Sequence, residues 1–189
     1  MKVFINPGHG GDDCGAVGYG LKESDVAFCI GARVESYLKN FGLNTKLFQY
    51  DGLENICDES NKFNADVFVS IHCNACNTTA NDTETYCYYN SFEGGKLATD
   101  IHNQIVKALP ELTNRGAKEA GFFVLKYTTC PAVLVETAFI DNFHDNQLLK
   151  SRADDFAKAI AQGIRDYLGI QPDVVDSPAD TCPYCGKPL

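Results

Sequence analysis

The chain has 189 residues, 44% hydrophobic, 22% charged and 11% aromatic, a globular mix that excludes collagen, coiled coil and wholesale disorder. Its net charge of -9, from 16 Lys and Arg against 25 Asp and Glu, repels phosphate backbones and argues against nucleic-acid binding. No apolar run approaches the ~20 residues of a membrane span, which argues against membrane insertion.

In chain order, residues 3–5 read as a short apolar strand broken by Asn6, Pro7 and Gly8. Val26, Cys29, Ile30, Arg33, Val34, Tyr37 and Leu38 recur at helical spacing, predicting a helix over 24–40 with Ser24 as N-cap and Gly42 as stop. A strand follows over 45–50. The run DVFVSIH over 66–72 is β-branched and aromatic, suited to a strand buried on both faces. Residues 85–89 alternate less cleanly and read as an edge strand. Leu97, Ile101, Ile105 and Leu109 predict a helix over 96–109. Strands are expected over 122–125 and 132–136. Phe156, Ile160, Ile164 and Leu168 predict a last helix over 154–168. Strands alternating with helices argue for one α/β domain over 1–170 with a largely parallel sheet.

Residues 171–189 differ. They hold four of the seven prolines, are polar and lack periodicity, and read as a linker with a short tail. Within the tail, Cys182 and Cys185 offer two of the four ligands of a structural zinc site. That stretch is half a ribbon completed elsewhere, the stub of a longer region, or an unstructured tail. The nine cysteines are odd in number and lack a scaffold-like spacing, which reads as free thiols made in a reducing compartment. The opening MKVFINPGHGG reaches glycine too early for a signal-peptide apolar region, so synthesis in the cytoplasm is expected.

In open α/β sheets chemistry gathers at the carboxyl ends of strands. His9 follows the first strand in the loop GHGGDDCGAVGYG, His72 ends the third, Glu136 ends AVLV, and Glu23 precedes the first long helix. Two imidazoles and a carboxylate would suit a catalytic zinc with an open water position, and a further carboxylate would move the proton. Each residue alone has a plainer reading. His9 reads as a turn residue, and Glu23 as an acid favoured by the helix dipole. His72 and Glu136 are polar ends of buried strands that need partners. His102 and His144 read as surface residues. The glycines are no phosphate cradle, since no Gly-Lys-Ser or Gly-Lys-Thr follows.

Five stretches then carry a resemblance: INPGHGGDDCGAVG at 5–18, LKES at 21–24, ADVFVSIHCNA at 65–75, NRGAKEAGFFVL at 114–125 and PAVLVETAFIDN at 131–142. In this order they resemble the type 3 family of zinc-dependent N-acetylmuramoyl-L-alanine amidases, which are cell-wall hydrolases. The resemblance implies a twisted sheet flanked by helices on both faces. It implies one zinc held by His9, Glu23 and His72, with Glu136 as the catalytic carboxylate. It implies hydrolysis of the amide between N-acetylmuramic acid and L-alanine in peptidoglycan, with Asn74 and Arg115 on the substrate side. The rival readings are a zinc peptidase cutting within the stem peptide and a non-catalytic wall-binding module, the latter disfavoured by the intact quartet. With no signal peptide in view, action on the wall follows release, as for an endolysin or an enzyme freed at lysis. Because His9 and His72 ligate only when neutral, metal affinity and activity are expected to fall below roughly pH 6. The sequence departs from the family at Cys73, which with Cys76 makes Cys-x-x-Cys. The pair is a small buried residue and a loop thiol, or a redox or zinc-competing pair. The loop between Cys73 and Glu84 is too short for an inhibitory helix, so an open site is expected.

Overall fold

A computed structural model describes residues 1–170 of the chain. Its elements are β1 (Lys2–Pro7), β2 (Val17–Gly18), β3 (Leu21–Lys22), α1 (Glu23–Asn40), β4 (Asn44–Leu47), α2 (Leu53–Phe63), β5 (Val67–Asn74) and β6 (Thr83–Cys87). They continue with α3 (Phe92–Ala108), β7 (Asn114–Glu119), α4 (Phe123–Tyr127), β8 (Ala132–Phe139), α5 (Phe143–Ser151) and α6 (Ala153–Tyr167). Six strands form one sheet in the order β4-β1-β5-β8-β6-β7, while β2 and β3 make a small separate hairpin. All neighbours in the sheet run parallel except β6 and β8. The expected α/β architecture and largely parallel sheet are therefore present. The tail at 171–189, with Cys182 and Cys185, lies outside the described residues.

Side chains alternate across a strand, so each buried strand serves two layers. Val3, Ile5, Val67, Val69, Ile71, Val133 and Val135 feed the larger core, which α1, α3 and α6 cover. Phe4, Phe68, Ala132 and Leu134 feed a smaller core under α2 and α4. Each buried Val, Leu, Ile or Phe contributes roughly 1.5–3 kcal/mol relative to exposure. The second cover is short. Beyond it, on the same sheet face, Asn6, Ser70, His72, Leu134 and Glu136 line an open groove.

Several expectations change. Residues 122–125 do not form a strand; Phe123 opens the short helix α4, and Phe122 is extended before it. A brief apolar run fits either element, and the packing of α4 against α2 decides. Strand β6 is interior, not an edge, because the polar β7 (NRGAKE) covers its far side and takes the edge itself. The helix α2 buries Ile56, Cys57 and Ser60 and packs Phe63 at its end against the core, too short a stripe to read from sequence. The N-cap of α1 is Lys22, without a side-chain cap, and Ser24 lies inside the helix. His102 is buried, not a surface residue: it shares the inward face of α3 with Ala98, Ile101 and Ile105. Its Nε2 lies 2.8 Å from Asn114 Oδ1, and burial lowers its pKa. His144 is exposed. The seven described cysteines are free thiols, and among the described residues no helix is long and apolar enough to cross a membrane.

The α3–α6 contact depends on a missing side chain. A Cβ at Gly163 would stand 2.3 Å from the Ile101 Cα, which is backbone and cannot swing aside. Alanine is worth about 1 kcal/mol over glycine in a free helix, but forced overpacking costs typically 1–3 kcal/mol. Gly163→Ala is expected to lower the urea midpoint of unfolding, and a raised midpoint would show that the helices separate at no cost.

Candidate metal centre

The loop after β1 must bring a histidine back over the strand ends, and its backbone shows the effort. His9 has φ 59°, Gly10 135°, Gly11 57° and Gly15 64°, conformations in which glycine carries no Cβ penalty. The close approaches to the histidines are at Gly8 and Gly15. A Cβ at Gly8 would fall 2.3 Å from His72 Cε1, and one at Gly15 would fall 2.6 Å from His9 Cδ2 and 2.7 Å from Glu23 Oε2. The glycines let the main chain lie directly on the imidazoles.

Glu23, the first residue of α1, is buried at 4% exposure and accepts four hydrogen bonds. Its Oε1 takes His72 Nδ1 at 2.9 Å and the Cys73 amide at 3.0 Å. Its Oε2 takes His9 Nε2 at 3.0 Å and the Ala16 amide at 2.9 Å. Burial opposes the charge, but the bonds from His72 and His9 outweigh it and hold the carboxyl far below the usual range. The imidazoles stand edge to face, 5.0 Å between centroids. One ligand atom from each of His9, Glu23 and His72 lies within 4.8 Å of the others, so the three could hold a metal ion. Two nitrogens and one oxygen are a donor set that suits zinc.

Asp13, which the sequence reading did not single out, accepts from His9 Nδ1 at 2.7 Å. This bond fixes the ring so that Nε2 faces Glu23. The signal was present in the motif, four residues after His9. Held between two carboxylates, His9 is pushed up to about 9, chiefly by its bond to Glu23, against desolvation. The pH at which protons compete for this ligand is therefore higher than the unperturbed imidazole suggested.

Glu136 stands beside His72 in the β5–β8 register. Its Oε2 is buried without a hydrogen-bond partner. Desolvation, then the charges of Glu23 and Glu84, raise its pKa to about 8. Glu84, opposite Glu136 on β6, has the contrary surroundings. Lys118 and Arg115 pair with it and keep it ionised despite burial. Asn74 lines the groove and donates through Nδ2 to Glu84 Oε1 at 2.7 Å. Arg115 lies outside the groove lining, bound to Glu84 at 3.0 Å and Asp82 at 2.6 Å. Cys73 is buried, and its thiol is pushed up by desolvation; Cys76 is exposed. Neither joins the His9–Glu23–His72 group. Residues 75–82 contain no helix. Asp141 ties this loop down by accepting from the Cys76 and Thr78 amides at 3.1 and 3.0 Å.

Comparison with known proteins places this geometry. A family model described as N-acetylmuramoyl-L-alanine amidase matches residues 3–166. The N-acetylmuramoyl-L-alanine amidase LytC of Bacillus subtilis is 37% identical over 174 residues, covering 87% of this chain and 35% of that relative. The endolysin of Bacillus phage SPP1 is 36% identical, covering 89% of this chain and 66% of its own length. The chain thus spans about a third of the first relative and two thirds of the second. The solved structure of the N-acetylmuramoyl-L-alanine amidase AmiC2 of Nostoc punctiforme superposes with TM-score 0.85 at 37% identity, covering 89% of this chain and 97% of that one.

The carboxylates of Glu23 and Asp13 favour the protonated form of His9. With His9 near 9, uptake of a divalent ion around neutral pH must expel about one proton. Zinc titration calorimetry in buffers of different ionisation enthalpy is expected to show this release. Apparent affinity should climb with pH towards about 9 and then level. Affinity that stays flat across that range would contradict the imidazolium.

Proposed function

The chain belongs to the N-acetylmuramoyl-L-alanine amidase family, and we propose that its groove works with one zinc ion held by His9, Glu23 and His72 and with Glu136 as the catalytic carboxylate. The enzyme is a hydrolase of the amide that joins N-acetylmuramic acid to L-alanine in peptidoglycan. Its place of action is the cell wall. The observation that carries the metal reading is the convergence of two imidazoles and one carboxylate, from three separate segments, within 4.8 Å.

Zinc bound there supplies Lewis acidity, polarising the scissile carbonyl and acidifying a water. The protein's own groups do the rest. Asp13 orients the His9 ring, and the Cys73 and Ala16 amides orient the Glu23 carboxylate. Glu136 takes the proton of the attacking water and returns it to the departing nitrogen of L-alanine. Its fitness for both transfers comes from its surroundings: a buried oxygen without partners and a pKa of about 8 give it affinity for a proton near neutrality. Asn74, fixed by Glu84, faces the groove as a substrate-side amide. Arg115 serves behind it, as counter-charge to Glu84 and Asp82.

Incubation of the zinc-loaded protein with purified walls is expected to release new L-alanine amino termini. Glu136→Gln should lower that rate by roughly 10²–10⁴-fold, the usual worth of general acid–base catalysis, with zinc uptake retained. New termini elsewhere in the peptide would select a stem-peptide peptidase. Wall binding without new termini would select a binding module.

A further inference from the structure

The groove, about 550 Å³, is built unevenly. One flank is polar and carries the quartet. The other is a wall of Tyr50, Leu53, Ile56, Phe122, Phe123 and Val124, from the starts of α2 and α4. Three of these are unusually open for apolar side chains: Tyr50 is 45% exposed, Leu53 50% and Phe122 39%. The two aromatic rings nevertheless rest on neighbouring rings. Tyr50 stacks on Phe48 at 5.9 Å, and Phe48 packs on the fully buried Phe4 at 6.1 Å. Phe122 stands edge to face with Tyr86 at 5.3 Å. Rigid apolar surface held open inside a cleft marks a binding face. The charged groups lining the groove besides the histidines are Asp13, Glu23, Asp51 and Glu136, and no Lys or Arg is among them.

We infer that this wall is the seat of the muramoyl sugar, so that the acyl side of the scissile amide lies on Tyr50, Leu53 and Phe122 and the peptide leaves away from them. The inference rests on the amidase reading and adds a direction to it. The two halves of the substrate differ in the property the wall selects. The acyl half is a pyranose with uncharged substituents and flat C–H faces, which aromatic rings cover well. The amine half is a peptide, and every peptide ends in a carboxylate. Seated on this wall it would face Asp51, and no Lys or Arg lines the groove to answer it. Burial of apolar C–H surface favours the sugar, and like-charge repulsion disfavours the peptide.

Two measurements test the assignment. The first compares N-acetylmuramoyl-dipeptide with the lactoyl-dipeptide that lacks the sugar ring. The wild type is expected to favour the former in kcat/KM by about tenfold, the worth of one well-stacked ring face. Tyr50→Ala and Phe122→Ala should each pull that ratio towards unity through KM, and Leu53→Ala should do so independently of any aromatic effect. A ratio that the variants leave unchanged overturns the proposal, even if both rates fall. The second needs no hydrolysis. An uncharged N-acetylglucosamine oligomer is titrated into the isotopically labelled protein, and amide and side-chain NMR shifts are mapped. Shifts centred on Tyr50, Leu53 and Phe122 support the sugar seat. Their absence there, or shifts induced instead by a dipeptide, overturns it. If neither muramoyl nor lactoyl compound is cut, the amidase reading fails while the oligomer still decides the wall.

Discussion

The groove depends on a buried negative charge that must be satisfied from all sides at once. Glu23 can remain ionised at 4% exposure only because two imidazoles and two backbone amides reach it. Those donors come from the loop after β1, from the end of β5 and from the residue just before β2. Each must arrive within about 3 Å, which fixes the path of the main chain more tightly than any apolar contact nearby. The glycines follow from the same demand, since a methyl group at Gly8 or Gly15 would occupy space the rings and carboxylate need. The left-handed backbone at His9 is tolerated for the same reason.

Glu136 and Glu84 illustrate how neighbours set the character of one chemical group. They face each other across β8 and β6, and both are largely withdrawn from water. Glu84 has Lys118, Arg115 and the Asn74 amide around it and stays charged. Burial, two negative neighbours and an oxygen without a partner raise the affinity of Glu136 for a proton. The sheet thereby gives its two facing carboxylates opposite character, one a charged anchor and the other a group of raised pKa. The anchor is what immobilises Asn74.

Much of this was legible from residue patterns, and the exceptions have physical causes. Helical stripes as regular as Phe156, Ile160 and Ile164, or runs as apolar as DVFVSI, announce themselves because burial on one or both faces leaves a periodic trace. The helix α2 left almost none, because it rests on a small core by a few side chains. The stretch around Phe122 and Phe123 was apolar enough for a strand, and only its packing on α2 made it helical. In the groove, His9, Glu23, His72 and Glu136 stood out as polar residues where strands and helices begin or end. Asp13 and Glu84 did not, since their importance lies in what they touch across the fold. The buried His102 was misread because its closer partner, Asn114, comes from β7, a strand that the residue pattern did not announce.

The seam between β5 and β8 joins residues 68 and 132 and continues to His72 and Glu136. During synthesis the segments bearing His9, Glu23 and His72 therefore leave the ribosome well before the strand that completes the groove. Closing a loop of that span is slow compared with forming a local helix. A nascent chain thus lacks Glu136 in its groove until the seam zips shut, and the groove is complete only with the finished sheet.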